Sequence, residues 1–129
     1  GPYDGFFLDR GIHVALELKS LATWGSLPLA RFKEHQQDGL LRVVADGGRA
    51  FLLINMRRSR AGKPNNYAVA FDMRHWLTFI RSLSDRKSIP LSHLTDDPFF
   101  TPLKRLHVLH AETGEKALVW DLNQLRVSK

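Results

Sequence analysis

The sequence contains no cysteine, which excludes disulfides and thiolate metal sites and leaves oxygen or imidazole as the ligands for any metal. No apolar run approaches the roughly 20 residues needed to cross a bilayer, and the start lacks the charged-then-apolar pattern of a signal peptide. The expectation is a cytoplasmic protein without a membrane partner. Acidic residues are in deficit, 13 Asp plus Glu against 19 Lys plus Arg, and the formal charge of +6 favours an anionic partner such as nucleic acid or a membrane surface. Internal repeats, low-complexity tracts and dividing linkers are also missing, so the 129 residues read as one domain, 1–129, with a single core. Gly1 and Pro2 read as the remnant of a cleaved tag, which would place the natural start upstream.

What is present alternates. Apolar residues at 5–9 and 12–18, divided by Arg10 and Gly11, predict a hairpin. In its second arm Ile12, Val14, Leu16 and Leu18 alternate with His13, Ala15, Glu17 and Lys19, the period of a half-buried strand, so Glu17 and Lys19 share a face near its end. Ser26 and Pro28 predict the start of a helix to about Ala45, with Phe32, Gln36, Leu40 and Val43 on one side and Asp46-Gly47-Gly48 as its stop. Ala50–Met56 is apolar on both faces and predicts a central strand. A basic turn over 57–65 joins it to a strand from Asn66 to Phe71. Asp72 is placed to cap a helix whose Trp76, Phe79, Ile80 and Leu83 form a core stripe. Residues 84–102 read as a surface loop with at most one helical turn, and 103–110 with 117–122 as a last hairpin in which Trp120 alternates into the core. His107 and His110, three apart on that strand, face opposite sides and do not form a metal pair.

Phosphodiester hydrolysis assisted by a metal needs oxygen ligands for a divalent cation and a cation near the attacking group. Asp4, Glu17 and Lys19 supply such a set if the hairpin brings the start of one strand beside the other. The triplet acidic-x-Lys is weak alone, being expected about 0.7 times by chance in this composition, and Asp85-Arg86-Lys87 repeats it in a breaker-rich loop. Strand context selects Glu17 and Lys19, whose plain alternative is a solvated pair on a strand edge.

Tyr3-Asp4-Gly5, then Leu16-Glu17-Leu18-Lys19, then Leu27-Pro28-Leu29 with Phe32 and His35-Gln36, resemble in order and spacing the successive blocks of the RecU-type Holliday junction resolvases, a branch of the PD-(D/E)xK nucleases. The resemblance covers residues 3 to 56. It implies an α/β, restriction-endonuclease-like mixed sheet flanked by helices, here with a C-terminal β-hairpin, and a homodimer that nicks four-way DNA junctions symmetrically with Mg²⁺ or Mn²⁺. It assigns the metal-dependent site to Asp4, Glu17 and Lys19, with Gln36 lining it. The carbonyl of Leu18 would complete the metal ligands, and Lys19 would serve the nucleophile. The family's helix before the Asp block would lie upstream of the residues given, either absent or trimmed off, and residues 84–129 fall outside the match.

The basic turn of Arg57, Arg58, Arg60 and Lys63 is a candidate for tracking the DNA backbone, against a solvated loop. Trp24, read as exposed, would stack on a base or anchor its own loop. His35 is a candidate to ligate metal, relay a proton or contact DNA, against a hydrogen-bonded structural helix residue. Two readings compete with the nuclease: a non-catalytic DNA-binding module on a degenerate nuclease fold, and a scaffold protein whose charge is incidental.

Overall fold

Arg10 and Gly11 carry positive φ values of 51° and 81°, the left-handed pair that a two-residue hairpin turn uses to match strand twist. They close strand β1 (Gly5–Asp9) onto β2 (Ile12–Thr23), with pairing from Asp9↔Ile12 out to Gly5↔Leu16. This is a computed structural model that describes residues 3–58, 66–109, 112–114 and 116–126.

After β2 the chain departs from the expected long helix. Leu27–Pro28 forms a short strand, β3, followed by a 3₁₀ turn at Leu29–Arg31, and the α-helix, α1, spans only Glu34–Ala45. Leu27 is fully buried, and Lys33 stays extended at ψ 150°, so tertiary pairing of β3 overrides the helix signals of Ser26 and Pro28. Phe32 is buried as expected but lies before the helix, whose own buried residues are Leu40 and Val43. The stop at Asp46-Gly47-Gly48 forms as read. Gly47 takes φ +93°, its N–H donates to the Val44 carbonyl and that of Gly48 to the Val43 carbonyl, the double bond of a glycine-terminated helix. At Gly48 an added Cβ would meet the His13 carbonyl oxygen and Val43 Cγ1 at 2.7 Å each. Gly48→Ala should therefore cost about 1–3 kcal/mol by overpacking, readable as a shift of the denaturation midpoint at constant slope; an unchanged midpoint would refute the close approach.

The next strand, β4 (Arg49–Arg58), pairs in parallel with β2 from Val14↔Arg49 to Thr23↔Arg58, with α1 as the crossover. That pairing carries β2 past Lys19 to Thr23, beyond the end read from alternation. β5 (Tyr67–Asp72) returns antiparallel on β4. Asp72 accepts the Arg74 N–H and caps a 3₁₀ turn, Met73–His75, that leads into α2 (Trp76–Ser82). Burial would raise the Asp72 carboxyl, but hydrogen bonds and charge from Arg74, with help from Arg49, hold it below its usual value.

Residues 84–102 hold more structure than the loop with one helical turn expected there. Ser88–Ile89 forms β6 and pairs with β3; Leu91–Asp96 is a helix, α3; and Phe100–Pro102 is β7, which pairs with β5. Isolated apolar residues separated by polar ones, Ile89, Leu94 and Phe100, carry no period, yet each is buried by its partner element. The expected final hairpin is present as β8 (Arg105–Leu109) and β9 (Lys116–Trp120), a separate two-stranded sheet.

The main sheet is mixed, in the order β1-β2-β4-β5-β7. One face packs Ala15, Leu52, Ile54 and Phe71 beneath Leu40, Val43, Trp76 and Phe79 of α1 and α2. The other packs Val14, Leu16, Phe51 and Leu53 against Leu103 and Leu125, with Trp120 half-buried at its margin. β2 is thus covered on both faces from Val14 to Glu17, a correction to the half-buried reading, because the C-terminal segment returns across the second face. Arg49 ties that return down, donating to the Leu125 carbonyl and to Asp72. No described helix is long and apolar enough to cross a membrane.

Candidate active site

The hairpin register sets the site. With Gly5 opposite Leu16, the residue before β1 comes level with Glu17. Two backbone contacts hold it there: the Asp4 N–H donates to the Leu16 carbonyl at 3.0 Å, and the Leu18 N–H donates to Asp4 Oδ2 at 2.7 Å. Alternation puts the Asp4, Glu17 and Lys19 side chains on the helix-bearing face of the sheet. Asp4 is exposed, whereas the Glu17 side chain retains 2% of its accessible area and Lys19 12%. Lys19 Nζ stands 3.3 Å from Glu17 Oε2.

Burial pushes the Glu17 carboxyl above its ordinary range, and the negative charge of Asp4 adds to the rise. A hydrogen bond and the charge of Lys19 act in the opposite direction without cancelling it, and a hydrogen bond with Asp4 favours the protonated form. Two carboxyls close enough to share a proton, one of them desolvated, are poised for a positive charge between them. A strand residue directs its N–H and C=O to the same side, so the Leu18 carbonyl lies on the edge where its N–H holds Asp4. Among the described residues no group of three or more His, Asp or Glu side chains converges; the acidic donors here are two.

The other candidate residues divide. Gln36, on the first turn of α1, has its amide oxygen engaged by the Lys33 N–H at 2.9 Å, a capping contact. His35 is exposed on the same turn. Trp24 is not exposed as expected: it is 3% accessible and stacks on Tyr67 at 4.7 Å with the rings 6° apart, which withdraws it from DNA. Its polar neighbours in sequence concealed a partner on β5. Arg57 and Arg58 end β4 exposed and project to opposite faces by alternation, Arg58 to the side of Lys19. Arg60 and Lys63 lie outside the described residues. Asp85 and Lys87 sit in the turn after α2. One polar position near the site escapes the sequence reading: Asn55 interrupts the apolar run of β4, and its amide oxygen is buried with no hydrogen-bond partner among the described residues.

No family model matches the chain. A curated relative does: the Holliday junction resolvase RecU of Lactococcus lactis subsp. lactis (strain IL1403) is 30% identical over 99 residues, 77% of this chain. The chain spans 41% of that relative's length. With this match added to the acidic pair and lysine assembled on one hairpin, the chain is similar to the RecU-type resolvases.

Proposed function

We propose that this chain is a cytoplasmic, metal-dependent DNA endonuclease, a single domain over 1–129 with a restriction-endonuclease-like core, that acts as a homodimer to resolve four-way junctions by paired nicks. The observation that carries the reading is the convergence of Asp4 and Glu17 with Lys19 Nζ 3.3 Å from the buried carboxylate. The residues fit a hard divalent cation. Mg²⁺ binds through one or two carboxylates and keeps several waters, and Asp4, Glu17 and the Leu18 carbonyl would hold it, or Mn²⁺, on the open edge of β2. Bound there, the ion would polarise a phosphate and make water acidic enough to attack it.

The chain's own groups do the rest. The Leu18 N–H fixes one oxygen of Asp4, so the carboxylate is oriented before any ligand arrives. Lys19, mostly buried beside Glu17, would place a positive charge where the attacking oxygen and the phosphate gather negative charge. Arg58, exposed on the same face, would contact the backbone of the DNA and supply affinity rather than chemistry.

The test is incubation of the protein with a labelled four-way junction and a linear duplex in Mg²⁺, in Mn²⁺ and in chelator. Two symmetric nicks on the junction, seen only with metal, are expected. Binding that weakens steeply with salt but no cutting under any condition would convert the reading to that of a non-catalytic DNA-binding module.

A further inference from the structure

On the face of the sheet opposite Glu17 a cavity of about 160 Å³ opens, lined by Leu18, Lys19, Ser20, Asn55, Ala68 and Trp120 among others. It is below the size of pockets that take whole drug-sized ligands, roughly 300–1,000 Å³, and suits one planar ring. Its walls are mainly apolar, with Trp120 half-buried on one side. The buried Asn55 amide oxygen, lacking a partner among the described residues, is an acceptor whose desolvation a donor entering the cavity would compensate. Leu18, 54% accessible, and exposed Ser20 form the mouth. Positive charge flanks it: Arg57, two residues beyond Asn55 on this face, is exposed, and the Arg105 guanidinium lies 5.7 Å from the Trp120 ring centre.

The cavity and the acidic site are separated only by the edge of β2. Pairing with β1 stops at Gly5↔Leu16, and among the described residues β2 beyond that point has a strand partner only on the β4 side. Lys19 borders both, its ammonium on Glu17 and its residue in the cavity wall. Among the described residues no strand lies between the acidic site and the cavity.

We propose that this cavity receives one unpaired nucleobase of the DNA held at the acidic site, stacked against Trp120 and donating a hydrogen bond from its edge to Asn55. The proposal rests on the DNA-cutting reading above and adds a base-binding position to it. Stacking on an aromatic side chain is tolerant of base identity, while the Asn55 acceptor favours bases with an N–H on the exposed edge.

The experiment measures affinity in chelator, where no cutting occurs, for three DNAs: a four-way junction with one unpaired adenine beside the crossover, the same junction abasic at that position, and a linear duplex. The protein should bind the adenine junction about tenfold more tightly than the abasic one. Trp120→Ala should erase that preference and leave duplex affinity unchanged. Because Trp120 also packs against the second core, Ser20→Phe provides an independent variant that fills the mouth from an exposed position, with the same loss expected. Equal affinity of the parent for adenine and abasic junctions, or a preference that survives in a folded Ser20→Phe protein, would overturn the proposal. If the parent still cuts the junction with metal in that case, only the base pocket falls; absence of binding to all three DNAs would remove both readings.

Discussion

A Lys19→Ala protein should bind a four-way junction as the parent does and cut it about 10²–10³-fold more slowly, the loss typical when one positioned electrostatic group is removed from a transition state. Lys19 is held for such a role. Its stem is largely covered, and its ammonium is fixed 3.3 Å from Glu17, so little reorganisation stands between the resting side chain and a phosphate brought to the acidic pair. Removing it also withdraws the contact that lowers the Glu17 carboxyl. Assay at saturating Mn²⁺ over a rising pH series, up to the point where neither protein's rate changes further, therefore separates lost chemistry from lost metal. Parental cutting rates under those conditions would show that the lysine merely fills a strand edge.

Glu17→Gln should preserve or raise stability without metal and abolish the gain in stability that metal brings. In the metal-free protein the Glu17 carboxyl titrates above its unfolded value of about 4.3. A raised folded-state value means that the stabilising contribution is complete below the unfolded value and is lost as pH rises through the folded one. Above the unfolded value Glu17 is thus a burden on the empty fold, and the neutral amide should melt at or above the parental temperature at neutral pH, the difference closing as pH falls toward 4. With Mn²⁺ at 100 times its Kd the parent should gain about 2.7 kcal/mol, several degrees for a domain of this size, while the variant gains little. A variant that melts lower without metal, or rises equally with it, would contradict both the burial cost and the ligand role.

Much of this was legible in the chain because it depends on local period. Alternation from Ile12 to Lys19 put Glu17 and Lys19 on one face, Arg10-Gly11 marked the turn, Gly47-Gly48 the helix stop, and the stripe from Trp76 to Leu83 the core helix. Features set by long-range partners were not legible. Trp24 looks exposed until Tyr67 stacks on it, Leu27–Pro28 looks like a helix start until Ser88–Ile89 pairs with it, and Phe100 looks like loop until β5 takes it as an edge strand. Gln36 reads as a polar helix residue, and its capping contact with the backbone N–H three residues away shows only in the structure.

By itself, then, the order of residues determined which side chains could share a face and where the chain must reverse, because strand alternation and left-handed turns are properties of neighbours. Only the tertiary structure decided that Asp4 stands level with Glu17 and that the carboxyl of Glu17 is desolvated. It likewise decided that a cavity with an unanswered amide lies across the β2 edge. Those outcomes require β1, β4 and the returning C-terminal segment to meet around β2, and register and burial are settled by such distant contacts.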